Sequence, residues 1–208
     1  MSIQDYDYDY EYEESSDKSY CYPNTNILKN KFDIRDIDVL HEAEREYSMV
    51  RYAELEKRGV TGRFDLNHLR AIHKYLFQDV YEWAGEIRTV DISKGNIFCL
   101  SQFILPQFDN LYKELKRDKL LMNISDKHKM SQKLAYYLAE INAIHPFREG
   151  NGRTQRMYCE QLCLGNGRFY LDFSEISSEE MLRASVESFE KRDYRLMEQI
   201  VFKCLKEE

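Results

Sequence analysis

The sequence predicts an all-α protein, a helical bundle interrupted by one small β-hairpin. Three observations carry this expectation. Only 8 Gly and 3 Pro occur in 208 residues, too few chain breakers for a turn-rich sandwich or barrel. Apolar residues recur near a 3.6-residue spacing over most of the chain. Hydrophobic residues make up 43% of the total, enough for a packed core and well above a disordered composition. The length sets a prior between one and two domains at about 150 residues each. With no internal repeat and no composition change beyond the first twenty residues, one domain with a tail follows.

The tail comes first. Residues 1–20 hold seven acids (Asp5, Asp7, Asp9, Glu11, Glu13, Glu14, Asp17) and one base, Lys18, a net −6 that leaves only −1 for the other 188 residues. The acids alternate with Tyr6, Tyr8, Tyr10 and Tyr12. A period of two is that of a strand, yet one face would be wholly acidic and self-repulsion opposes ordering. Residues 1–19 are therefore expected to be a disordered tail, and 20–208 the domain. Residues 20–25 read as an extended segment ending in a helix cap. Pro23 disfavours helix at Tyr22, and Asn24 or Thr25 can accept from orphan backbone N–H groups.

Helical segments are expected next at 36–57, where Ile37, Leu40, Ala43, Tyr47, Val50 and Leu55 form the apolar face and Gly59 closes the helix. Others follow at 65–80, 102–119, 125–144, 153–164, 177–190 and 192–205. The exception is 88–100. There Val90 and Ile92 alternate with polar neighbours, Lys94-Gly95-Asn96 supplies a turn and Ile97-Phe98-Cys99 resumes the apolar run. That pattern is a β-hairpin. A lone hairpin is marginally stable, so it must lean on the helices or accept a partner strand.

Several function classes are disfavoured by composition. The near-neutral body offers no bulk field for nucleic acid. Five cysteines, Cys21, Cys99, Cys159, Cys163 and Cys204, make an odd number without a CxxC, so no disulfide framework or zinc ribbon is indicated. Cys159 and Cys163 read as small buried apolar side chains. No basic-then-apolar leader and no run of about 18 apolar residues occurs. No membrane span is expected, and the cytoplasm is the expected location.

Chemistry concentrates in residues 145–156, His-Pro-Phe-Arg-Glu-Gly-Asn-Gly-Arg-Thr-Gln-Arg. Pro146 ends the preceding helix. Gly150 and Gly152 let the backbone turn and expose successive N–H groups leading into a new helix, an anion site suited to phosphate. Arg153 and Arg156, three apart, share a helix face and can fork onto one polyphosphate. Glu149 is a hard oxygen donor beside the nest, and a carboxylate next to phosphates suits Mg²⁺. His145 supplies an imidazole as general base. Phe147, once buried, would pin the loop. The parts imply metal-assisted attack of a hydroxyl on a nucleotide phosphate.

This string resembles the signature of the Fic (filamentation induced by cAMP) family, His-x-Phe-x-(Asp/Glu)-Gly-Asn-Gly-Arg-x-x-Arg, with every defined position met. Tyr20-x-Tyr22-Pro23, Leu28-Lys29-Asn30-Lys31, the run 72–77 and Tyr81-Glu82-Trp83-Ala84-Gly85 with Arg88 extend the likeness to about residues 20–200. The resemblance implies a Fic-type helical bundle with a hairpin flap. It implies transfer of AMP from ATP to a Ser, Thr or Tyr hydroxyl of a target protein. In that reading His145 deprotonates the hydroxyl and Glu149 holds Mg²⁺. Gly150, Asn151 and Gly152 form the phosphate nest, and Arg153 and Arg156 contact the triphosphate. The flap registers the target by adding a strand, and Lys94 and Gly95 border the nucleotide.

Many family members inhibit themselves with a helix bearing (Ser/Thr)-x-x-x-Glu-(Gly/Asn). Here the only Glu followed by Gly or Asn is Glu149, with His145 four residues before it. The chain therefore looks like a compact class I toxin whose inhibitory helix arrives on a small antitoxin. By analogy with the family, bacterial type II topoisomerases are candidate targets. Rival readings are a different nucleotide or phosphocholine donor, a non-catalytic binding module and a secreted effector; 208 residues leave little room for a secretion domain.

Other residues carry plainer readings. His68, His73 and His128 lack metal-ligand spacing and read as structural or surface residues. Trp83, Tyr81 and Phe77 read as core. Glu42, Glu44 and Glu46 read as solvent-facing charge. Gly165, in a second Gly-Asn-Gly-Arg, reads as the residue ending a helix.

Overall fold

Residues 19–94 and 96–207 are described by the computed structural model, and among them the chain forms seven α-helices and two two-stranded antiparallel sheets. The acidic segment 1–18 and Gly95 lie outside the described residues. The all-α expectation holds, with two very small sheets.

Helix α1 spans Ile37–Arg58. Asp36 caps it by accepting from the N–H groups of Asp38 and Val39 at 3.0 and 3.1 Å. It closes at Gly59, whose φ of +62° is left-handed and whose N–H donates to the Leu55 carbonyl at 2.7 Å. Helix α2, Leu66–Phe77, is capped by Asp65. The chain then turns, and strands β1 (Ser93–Lys94) and β2 (Asn96–Ile97) pair antiparallel. A 3₁₀ turn leads into α3, Ile104–Arg117. Asp126 caps α4, Lys127–Ile144, and the motif loop joins it to α5, Asn151–Leu164. Strand β3, Phe169–Leu171, precedes α6, Ser178–Lys191, which opens with a capping box of Ser177 and Glu180. Helix α7, Arg195–Cys204, runs straight into strand β4, Leu205–Glu207.

Helix α4 lies at the centre. Its buried residues include Met130, Leu134, Leu138 and Ile141, and α3, α5, α6 and α7 pack around it. Helices α1 and α2 pack on α5 from the other side. Both helices that flank the motif loop are thus held in the core, which fixes the loop at each end. Cys159 and Cys163 are buried and unbridged, as the sequence suggested.

The structure corrects several expectations. No helix starts at Asn24 or Thr25. Thr25 Oγ accepts from the Ile27 N–H at 3.2 Å within a turn that lets Cys21 pair with Leu28. Helix α2 stops at Phe77 instead of Val80, and the strands of the 88–100 hairpin are only two residues each. Gly165 ends α5 with a right-handed φ of −60°; the left-handed glycine is Gly167, at +70°. The pairing of β3 with β4 (Phe169↔Glu207, Leu171↔Leu205) was not legible, because three-residue strands carry too short an alternation. The buried stripe of α1 is also rotated. It runs through Leu40, Glu44, Ser48, Tyr52 and Leu55, while Tyr47 and Val50 face outward at 43% and 61% exposure.

Leu205 is completely covered although it sits near the C-terminus. Leu205→Ala is expected to cost about 2–5 kcal/mol, the usual range for a large-to-small change in a core, measured by urea denaturation. A cost under about 1 kcal/mol would show that the β3–β4 sheet is not integral to the fold.

Candidate active site

The loop between α4 and α5 begins at His145. This residue caps α4 in the left-handed region (φ 47°, ψ 63°), uncommon for a side chain with a Cβ. Its N–H still donates to the Ile141 carbonyl at 3.0 Å. Its Nδ1 lies 3.2 Å from the Asn142 carbonyl. A carbonyl only accepts, so Nδ1 carries the proton and Nε2 is the lone-pair nitrogen of the neutral ring. Phe98, just after β2, stacks on the imidazole with centroids 3.9 Å apart and planes at 20°, and Phe189 of α6 packs behind it at 5.1 Å.

The loop is braced from within and from α2. Asn151 Oδ1 accepts from the Phe147 N–H at 2.9 Å, and its Nδ2 donates to the Phe147 carbonyl at 2.8 Å. The Asn151 side chain therefore closes the loop, and its backbone opens α5. Phe147 is fully buried and stacks on His73 at 3.9 Å. His73 Nε2–H donates to the Glu149 carbonyl at 2.9 Å, and Nδ1 accepts from the Gly85 N–H at 2.8 Å. Both ring nitrogens are thus engaged in the neutral form. Burial pushes the imidazole down to about 3, with the Arg153 charge adding to the shift.

Gly150 must be glycine twice over. Its φ is +76°, and a Cβ there would lie 2.3 Å from the Phe77 ring. Its N–H donates to Glu149 Oε1 at 2.8 Å, and its carbonyl accepts from Thr154 Oγ at 2.8 Å. No side-chain cap covers the start of α5 among the described residues. The first-turn N–H groups and the positive helix end therefore favour an anion there. Gly152 faces Arg156, whose NH1 would be 3.4 Å from an added Cβ.

The two arginines differ in their surroundings. Arg153 is buried, donates from NH1 to Ser48 Oγ at 2.6 Å, pairs through NH2 with Glu44 and stacks over Phe77 at 4.8 Å. Tyr81 donates to the other oxygen of Glu44. Glu44 is therefore no surface charge, unlike Glu42 and Glu46. Arg156 is buried on the next turn of α5. Behind it Glu160 accepts from the Tyr52 hydroxyl at 2.6 Å. Burial pushes that carboxyl up to about 7; the Tyr52 hydrogen bond and the Arg156 charge act against this.

The structure thus brings His145, Glu149, Gly150, Asn151, Gly152, Arg153 and Arg156 to one loop and helix start. Lys94 lies in β1, and Gly95 is outside the described residues. Sequence reading missed Glu44, Ser48, His73 and Tyr81 as site supports. The i, i+4 steps from Leu40 through Glu44 and Ser48 to Tyr52 were the available signal. No group of three or more His, Cys, Asp or Glu among the described residues could hold a metal by itself. Glu149 remains suited to a cation that takes its other ligands from phosphate oxygens and water.

Residues 63–163 match the Fic/DOC family. The chain is 39% identical over 170 residues to "Probable protein adenylyltransferase y4lH" of Sinorhizobium fredii, covering 81% of this chain and 86% of that one. The chain belongs to the Fic/DOC family. It is also 41% identical over 177 residues to the protein adenylyltransferase VbhT of Bartonella schoenbuchensis, covering 85% of this chain but only 37% of VbhT. Among solved structures, the N-terminal Fic domain of a VirB-translocated Bep effector of Bartonella quintana, with bound ADP, superposes with a TM-score of 0.87 at 27% identity. That match covers 93% of this chain and 97% of the other. The Fic fold expected from the motif is therefore the fold observed.

Two expectations test these supports. Glu44→Ala removes the carboxylate that pairs with the buried Arg153 charge and should cost about 3–5 kcal/mol in urea denaturation, with Glu44→Gln costing less because it keeps an acceptor. His73 has a folded pKa near 3 against 6.5 for the free group, so the unfolded chain binds its proton first as pH falls. Stability supplied by neutral His73 should drop by about 2 kcal/mol between pH 7 and pH 5. His73→Gln lacks this slope, so its stability deficit relative to wild type should shrink by that amount over the same interval.

Proposed function

We propose that this chain is a protein adenylyltransferase that moves AMP from ATP to a Ser, Thr or Tyr hydroxyl of a target protein. The observation that carries the reading is the Nδ1–H of His145, which makes Nε2 the basic nitrogen of the ring, set six residues before an anion-favouring helix start at Asn151. Kinship to proteins named adenylyltransferases supports it. The acceptor hydroxyl gives its proton to His145 Nε2, and its oxygen attacks the α-phosphorus. The bond from that phosphorus to the β-phosphate bridging oxygen breaks, and pyrophosphate leaves. The start of α5, from Gly150 through Asn151 and Gly152, and Arg153 and Arg156 hold the phosphates. Placing fixed donors against developing charge is where such sites gain most of their rate. Mg²⁺ held by Glu149 would supply charge neutralisation on the phosphate oxygens. Lys94 and Gly95 of the flap would border the nucleotide.

We further read the chain as the toxin of a toxin–antitoxin pair, with a small antitoxin supplying the inhibitory helix and bacterial type II topoisomerases as first candidate targets. The location would be the cytoplasm. No helix among the described residues is long and apolar enough to cross a membrane.

Purified protein incubated with ATP labelled at the α-phosphate and a bacterial lysate should label discrete proteins. His145→Ala should lower that rate by about 10²–10⁴-fold, the range for loss of a general base, with ATP affinity retained. Label appearing from UTP or CDP-choline but not from ATP would replace the donor in this reading. Toxicity that survives His145→Ala would instead favour a binding module.

A further inference from the structure

Arg88 has a fully covered side chain, and its nearest carboxylate among the described residues, Asp91, is half-exposed and 4.0 Å away. Main-chain carbonyls satisfy this cation instead. Nε donates to the His145 carbonyl at 2.7 Å. NH1 donates to the Val90 carbonyl at 2.6 Å. NH2 donates to the Cys99 carbonyl and reaches that of Ile144 at 3.4 Å. The backbone adds two links, from the Arg88 N–H to the Pro146 carbonyl at 3.0 Å and from the Cys99 N–H to that of Ala143 at 3.2 Å.

These acceptors lie on the last turn of α4, on the left-handed residue that carries the imidazole and the proline after it, and on the two stems of the flap. At a helix C-terminus a cation also meets the negative end of the dipole. Only a planar fork can satisfy so many diverging carbonyls from one buried point; an ammonium offers three donors from a single atom.

We propose that Arg88 is a positioning residue that locks the flap and the His145 backbone into one rigid unit. An acceptor registered along the flap then meets the imidazole at a fixed distance. This rests on His145 being the base, as argued above. The hydrogen bonds of the Arg88 side chain end on main-chain carbonyls, so its effect on transfer passes through the residues it holds.

The test uses the full chain with Arg88→Lys and Arg88→Met. Hydrogen exchange in peptides covering 90–99 and 143–147 should accelerate by about tenfold or more, while exchange in α7 stays unchanged. ATP affinity should stay within about twofold of wild type. With a bacterial type II topoisomerase as the acceptor probe, kcat/KM should fall by about 10–100-fold, the scale of a misplaced catalytic group, and lysine should rescue little of it. Wild-type exchange in the flap of either variant overturns the proposal. So does joint loss of ATP binding and of α7 protection, which marks a general structural role. If the wild-type protein transfers no AMP to this or any lysate protein, the functional reading fails, and the exchange measurement alone decides the clamp.

Discussion

Between α4 and α5 the backbone passes twice through left-handed conformations, at His145 and at Gly150, and the surrounding side chains are arranged to hold that path. A left-handed residue with a Cβ costs roughly 1–2 kcal/mol, so His145 persists there only because its neighbours fix it. Arg88 takes its carbonyl, Asn151 brackets Phe147, and His73 takes the carbonyl of Glu149. Each of these side chains is buried. The loop is therefore a rigid element, which is what the proposed placing of a base against a phosphate would require.

The same economy governs the charges. Helix α1 turns Glu44 and Ser48 inward where an ordinary amphipathic helix would place apolar residues, and both meet Arg153. The ion pair ties α1 to α5 in a place with little solvent. Phe77 serves both neighbours: its ring lies under the Arg153 guanidinium and closes the space above Gly150. Substituting any one of these groups changes the surroundings of the others, so their contributions are not additive.

Much of this was legible in the chain itself. The seven helices follow from apolar spacing, and the motif residues announced the loop and its glycines. Periodicity failed where burial and polarity part company. Glu44 and Ser48 look like surface residues, and only their partner a hundred positions away makes them core. The sequence leaves His73 as either a structural or a surface residue, and its grip on Glu149 is a tertiary fact invisible to local pattern. The β3–β4 pairing joins segments more than thirty residues apart through three residues each, below any periodic signal. The flap strands were expected longer because Val90 and Ile92 alternate as strand residues do, yet Arg88 draws the Val90 carbonyl away from any ladder.

The stack of Phe98 on the imidazole has a mechanical side. A ring packed face-on fixes the plane in which the imidazole nitrogens point. Phe98 follows directly on the flap, so tilting that ribbon would tilt the direction in which the proposed base takes its proton. Recognition of a polypeptide and the aim of the chemistry would then share one lever, and a poorly seated chain would find the lone pair pointing elsewhere.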